Sequence, residues 1–177
     1  VGNRDIALEE GDIVGLDIGC WYKDLCTDMA VTIPIGSVSD DYMALLRDTR
    51  ESMYAGVEQA KPGNTVHDIS GAVEDSIDLK KYGVVRALVG HGVGHEVHEK
   101  PSIPNFRSKS IPNADLVENM CIAIEPMVTG GSHEIKTAED GWTITTIDGS
   151  RAAHFEVTVA ILKEGPEILT PQPDINI

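Results

Sequence analysis

Two carboxylates, Asp17 and Asp28, lie in a stretch of strand-forming residues running from Asp12 to Ile33. A hairpin turning about Tyr22 and Lys23 would set them directly opposite each other on one face. Like charges that close destabilise a sheet, and a cation between them would reverse the sign of the interaction. Two solvent-exposed strand acids would leave the same trace, so the pair alone does not decide. A second feature is the run Gly90-His91-Gly92-Val93-Gly94-His95-Glu96-Val97-His98-Glu99, which holds three of the six histidines. A lone histidine is more often a structural hydrogen-bonding residue, but glycines on either side of His91 would let backbone and a ligand approach closely. Glu125 and Glu156 each interrupt an apolar strand, Cys121-Ile122-Ala123-Ile124-Glu125 and Phe155-Glu156-Val157-Thr158-Val159. A carboxylate inside such a strand is costly unless paired or metal-bound. Arg151 is the one candidate partner, for Glu156.

Four carboxylates and one histidine make an oxygen-rich ligand set without a thiolate. That set suits hard or borderline divalent ions (Mn, Fe, Co or Zn) and not a structural zinc site. Two such ions, typically about 3.5–4 Å apart, would acidify a water between them and hold a substrate carbonyl. Hydrolysis of an amide or ester follows as the reaction class.

The elements that must position these residues can be read in outline. Ile13–Cys20 and Met29–Ile33 form the hairpin strands, and Pro34 and Gly36 close it. Ser39 or Asp40 caps a helix running to about Ala60, with Leu46, Thr49, Met53, Val57 and Ala60 as its buried stripe. Thr65, with Asp68 three residues on, opens a second helix to about residue 82, with Val66, Ile69, Val73 and Ile77 inward and Gly83 at its end. Pro101, Pro104 and Pro112 mark a loop. Cys121–Val128, Trp142–Ile147 and Ala153–Leu162 read as strands, the last two joined by Asp148-Gly149-Ser150, and the Pro-containing tail after Gly165 reads as irregular. Asp28-Met29-Ala30-Val31-Thr32-Ile33 and Glu156-Val157-Thr158-Val159-Ala160-Ile161 echo each other, both strands led by a carboxylate. If the fold duplicates a helix–helix–hairpin unit, the first copy lacks its helices.

The bulk numbers bound these readings. At 177 residues the chain fits one domain, with 29 acidic against 14 basic residues and a net charge of −15. That surface repels nucleic acid, and no apolar run approaches a membrane span. Cys20, Cys26 and Cys121 cannot all pair with one another and show no C-x-x-C spacing, which predicts packed, reduced thiols in a cytoplasmic protein.

Leu16-Asp17 with Thr27-Asp28, Gly90-His91-Gly92-Val93-Gly94 with His98-Glu99, Ile124-Glu125-Pro126-Met127, and His154-Phe155-Glu156 together resemble the ordered signature of methionine aminopeptidases. Asp140-Gly141-Trp142-Thr143 and the stretch Ala123–Val128 resemble the bacterial type I branch. The resemblance runs from Asp12 to about Ile168. It implies an α+β pita-bread fold, a curved antiparallel sheet with helices on its outer face, in a single metallopeptidase catalytic domain spanning residues 1–177. It implies two divalent ions, with Asp17 chelating one, Asp28 and Glu156 bridging both, and His91 and Glu125 binding the other. Glu125 would also carry a proton from the attacking water towards the leaving amine. His98 would hydrogen-bond the substrate and Trp142 would line the methionine pocket, the substrate being the N-terminal peptide of a nascent protein. His95 receives no role from the resemblance.

The family also carries an upstream part bearing two helices, a substrate-contacting histidine and most of the methionine pocket. This chain opens at Val-Gly-Asn-Arg, so an N-terminally incomplete fold is expected, completed by a missing segment or a second chain. The nearest rival is a pita-bread peptidase specific for Xaa-Pro bonds, which shares the five ligands. The Glu-Pro-Met and Asp-Gly-Trp-Thr segments favour methionine removal. A binding module that kept the fold and lost its chemistry is the reading from another class, and the retention of all five ligands speaks against it.

Overall fold

The computed structural model describes residues 6–177. Strands β1 (Ile13–Tyr22) and β2 (Leu25–Pro34) form a long antiparallel hairpin. Its turn is the two residues Lys23 and Asp24, with φ of 49° and 64°. Two successive left-handed residues match the right-handed twist of the flanking strands. Moving the turn one residue from the expected centre changes the register: Asp17 faces Ala30 and Asp28 faces Gly19. The two acids are therefore diagonal neighbours on one face, not direct partners.

Helix α1 (Asp40–Val57) follows, its N-cap Ser39 accepting from the Tyr42 N–H. Leu46, Thr49, Met53, Val57 and, just beyond the helix, Ala60 are buried as the stripe predicts. Helix α2 (Val66–Asp75) opens with the reciprocal Thr65–Asp68 capping box and is shorter than expected. The Ser76 hydroxyl donates to the Val73 carbonyl at 2.8 Å, and Ile77 packs into the core from a turn instead of a helix. Gly83 does not end the helix. It starts β3 (Gly83–Val84), where a Cβ would collide with Thr129, Gly131 and His133.

Strands β4 (Gly90–Gly92) and β5 (Glu99–Ile103) come next, so Pro101 lies in a strand where a loop was expected. It is tolerated because β5 is a sheet edge, where one side of the strand needs no N–H. The expected single strand at 121–128 is two, β6 (Cys121–Ile124) and β7 (Met127–Thr129), split by Glu125-Pro126. Proline cannot donate to the ladder, and the chain changes sheets there. β8 (Ile135–Thr137) and β9 (Ile144–Thr146) form a separate hairpin with Trp142 near its tip. The stretch 153–162 likewise divides, into β10 (Ala152–His154) and β11 (Val157–Leu162), with Phe155-Glu156 at the break. The tail is not wholly irregular: β12 (Gly165–Ile168) pairs with β11.

All pairings are antiparallel, in the orders β1-β2, β10-β7-β3, β12-β11-β6-β4-β5 and β8-β9. α1 packs on β2, β6, β7 and β10, and α2 on α1 and β5. Alternation along the strands then sorts the side chains. Val157, Val159 and Ile161 join the helices in the hydrophobic core, so Glu156 and Thr158 point to the opposite face. Val31 does the same for β2, turning Asp28, Ala30 and Thr32 the other way. No described helix is long and apolar enough to cross a membrane. The three cysteines are free; Cys26 is buried, but Cys20 is exposed and is not a packing residue.

Candidate metal centre

The two strands that echoed each other in sequence meet in space. The Glu156 N–H donates to the Ala30 carbonyl at 2.9 Å, and the Ala30 N–H returns a bond at 3.3 Å. Thr158 sits beneath this bridge: its hydroxyl donates to the Asp28 carbonyl at 2.8 Å and accepts from the Asp28 N–H at 2.9 Å. Gln172 from the tail donates to the carbonyls of both Ala30 and Glu156. Asp28 and Glu156 are thereby fixed side by side from opposite ends of the chain. Thr158 and Gln172 carry no signal in the sequence, since each acts through a partner more than a hundred residues away or through an irregular segment.

Gly90 and Gly92 frame His91 with the close backbone approach expected of them. A Cβ on Gly90 would strike the Ala123 carbonyl of β6, and one on Gly92 the Lys100 carbonyl of β5. The glycines let three strands close up around His91. His91 Nδ1 lies 2.9 Å from the Gly92 carbonyl, so with the proton on Nδ1 the Nε2 lone pair is left free to face the carboxylates. The Glu125 carbonyl is held by the buried amide of Asn105 at 3.1 Å.

Three overlapping groups of ligand atoms result, each within 4.8 Å: Asp17, Asp28 and Glu156; His91, Glu125 and Glu156; and Asp28, His91 and His98. The structure therefore gathers all five expected ligands, together with His98, whose ring meets that of His91 edge-on at 4.4 Å. Of the five, Asp17 is the exposed one, its side chain 61% accessible, while Glu156 is 2% accessible. Trp142 is not in a buried wall: it stands 75% exposed on its hairpin, its N–H donating to Asp140. Arg151 does not serve Glu156; it pairs with Asp12 at 3.1 Å and lies over the Tyr42 ring.

The electrostatics show a site built around missing positive charge. Burial, reinforced by Glu125, Asp28 and Asp17, pushes the Glu156 carboxyl up to about 9. Burial and then Asp17 likewise raise Asp28. Glu125 behaves oppositely. Burial works to raise it, but hydrogen bonding from His154 and His91 overcomes that and leaves it lowered. Burial opposes charge on His91 too, yet its bonds to Glu125 and Gly92 and the surrounding acids raise it. Glu156 Oε1 is buried without a hydrogen-bond partner, 3.9 Å from His91 Nε2. An orphaned carboxylate oxygen ringed by three more acids is the arrangement that a divalent cation would satisfy, and an all-oxygen and imidazole donor set fits one.

The comparisons with known proteins agree. The chain is 45% identical over 165 residues to methionine aminopeptidase 1 of Bacillus subtilis (strain 168), covering 92% of this chain and 65% of that one. The crystal structure of methionine aminopeptidase from Thermotoga maritima superposes with a TM-score of 0.87 at 42% identity, covering 93% of this chain and 66% of that one. Prolidase from Pyrococcus furiosus superposes with a TM-score of 0.73 at 27% identity, covering 96% and 44%. The architecture is the pita-bread α+β fold, with its acids and histidines gathered at the junction of the sheets. The pattern of metallopeptidase family M24 matches residues 1–163, and the chain belongs to that family, whose members use divalent metal ions. It spans about 65% of the length of curated relatives such as the B. subtilis enzyme.

Proposed function

We propose that this protein is a dimetal aminopeptidase that removes the N-terminal methionine from newly made proteins. The observation that carries the reading is the buried Glu156 carboxylate, one oxygen of which has no partner and which belongs to two ligand groups, one with Asp17 and Asp28 and one with His91 and Glu125. Asp28 and Glu156 would bridge two ions, Asp17 would hold the first, and His91 and Glu125 the second. Bound there, a pair of Co, Mn, Fe or Zn ions would supply Lewis acidity towards a peptide carbonyl and a water. The chain's own residues do the rest. Glu125, kept ionised by its two histidine neighbours, takes a proton from the attacking water and passes it to the leaving amine. His98, exposed beside His91, donates to the substrate near the scissile amide. Trp142 contributes one side of the methionine pocket.

Substrate positioning can be worth about 7–11 kcal/mol of barrier. Trp142, standing exposed, supplies little of that alone. A further segment or a second chain over the exposed outer strand β1 is the partner we assign to this task. The isolated 177 residues are expected to take up two ions and to cleave Met-Ala-Ser peptides slowly. Metal titration with Mn or Co, followed by peptide cleavage with Glu125→Ala as the inactive control, tests the reading. Failure of the wild-type chain to take up metal would overturn it, and preferential cleavage of Xaa-Pro peptides would transfer it to the prolidase-like alternative.

A further inference from the structure

His154 belongs to none of the three ligand groups, yet it stands between two of them. Its Nε2 lies 3.4 Å from Glu125 Oε2 and its Nδ1 4.0 Å from Asp17 Oδ2. Nε2 is buried and has no hydrogen-bond partner, Glu125 Oε2 at 3.4 Å being the acid it approaches. The residue is fixed by its backbone. Its N–H donates to Thr32 Oγ1 at 2.9 Å, and the same hydroxyl donates to its carbonyl at 2.8 Å. It also faces Met127 across the β10–β7 ladder, two residues from Glu125. The backbone from which the imidazole reaches the Glu125 carboxylate is thus fixed on both sides. His91 Nε2 approaches the other oxygen, Oε1, at 3.3 Å. Glu125 is clasped between two imidazoles, and if His91 spends its Nε2 lone pair on a metal ion, only His154 is left to donate to the carboxylate.

We infer that His154 is a positioning residue: its Nε2–H donates to Glu125 Oε2 and holds that carboxylate in one orientation for metal binding and proton transfer. This rests on the dimetal reading for its consequence but not for its geometry. Ligand orientation by such outer hydrogen bonds typically changes metal affinity about 10–100-fold. The two ring nitrogens can be tested separately, because a glutamine amide reaches the place of Nε2 and an asparagine amide that of Nδ1. His154→Gln keeps the donor to Glu125, His154→Asn keeps only the side facing Asp17, and His154→Leu keeps neither while filling the space.

The experiment is Mn titration of the full chain and these three variants, with thermal midpoints as a control for folding. The Leu and Asn variants should bind one of the two ions about 10–100-fold more weakly, and the Gln variant should stay near wild type. Where Met-Ala-Ser cleavage is measurable, the loss should fall on kcat with KM little changed. Wild-type affinity in the Leu variant would reduce His154 to a space-filler and overturn the inference. Loss in the Gln variant as severe as in Leu would overturn it too, by making the ring itself a ligand. A metal-free readout separates this from failure of the dimetal reading. Long-range ¹H–¹⁵N NMR of the metal-free wild-type chain should find the His154 proton on Nε2, and a ring protonated at Nδ1 alone overturns the inference even if no metal is taken up.

Discussion

The candidate site has two halves that differ in how the fold shelters them. On the β1–β2 hairpin, Asp17 is largely exposed, and its strand presents Leu16, Ile18 and Trp21 to solvent. On the five-stranded sheet and its junctions, His91, Glu125 and Glu156 are buried, backed by Phe155, Ile122 and Ile124 in the core. An exposed carboxylate can be hydrated, whereas a buried one must find a counter-charge or a proton. The buried half therefore carries the strain that metal would relieve, and the exposed half completes the coordination at little cost to the fold. Asp28 and Glu156 lie on the seam between the halves. The largest expected effect follows from that position: Asp28→Ala or Glu156→Ala should abolish uptake of both ions, a loss beyond the roughly 10–100-fold typical of outer-shell changes. Asp17→Ala should weaken mainly one ion. Isothermal titration with Mn or Co decides, and equal loss of a single ion in all three variants would remove the distinction between the halves.

Stability should follow the same division. Phe155 is fully buried beside Glu156, and Phe155→Ala should cost about 3–5 kcal/mol through lost transfer energy and a residual cavity. Urea unfolding would measure it; a cost below about 1 kcal/mol would mean the seam is loosely packed. Much of this architecture was legible beforehand. The ligand types, their order and both helix stripes follow from local periodicity and from acids misplaced in apolar strands. The hairpin register was not, because Lys23-Asp24 lacks the Asn or Gly that usually signals a two-residue turn. Nor were Thr32, Thr158, Gln172 and Asn105, whose hydrogen bonds reach distant strands. The strand breaks at Glu125-Pro126 and Phe155-Glu156 were hidden for a related reason: each apolar run continues in sequence while changing its partner in space.

A smaller effect concerns pH in the metal-free protein. Glu156 is raised from 4.5 to about 9 by burial and the neighbouring acids, Asp28 is raised from 3.8 by burial and Asp17, and His91 is raised from 6.5 as its acid partners outweigh burial. A raised folded-state pKa means that the native state holds protons more tightly than the unfolded chain. Its stabilising contribution is full below the unfolded value and drains away as pH rises through the folded one. Glu125, lowered below 4.5, acts oppositely, but only in more acidic solution than this. Between pH 5 and 9 the three raised groups share one sign, so in chelator the unfolding free energy should fall with pH by on the order of 2 kcal/mol after local relaxation, and the melting temperature with it. Glu156→Gln should flatten the slope. Saturating Mn should reverse it, since metal competes with protons for the same oxygens. A flat profile for the metal-free wild type would show that Glu156 is hydrated in solution and that the two halves are alike.

The smallest effect sharpens the other side of the comparison. Ile18 is 64% exposed on β1, across the hairpin from Met29, and its side chain makes no part of the core. Surface substitutions away from caps, networks and core usually change stability by less than about 0.5 kcal/mol. Ile18→Thr keeps a β-branched residue, so strand propensity is little altered. In the isolated chain it should leave the urea midpoint where it is. If the face carrying Leu16 and Ile18 is covered in solution, by a second copy or by added polypeptide, the outcome differs. Burying such a side chain contributes about 1.5–3 kcal/mol, and the substitution would forfeit much of that and weaken the association. Measuring the variant alone, across a range of protein concentration, and with a covering segment supplied in trans separates the cases. A concentration-dependent loss in the isolated chain would mean that the Leu16–Ile18 face of β1 is already an interface.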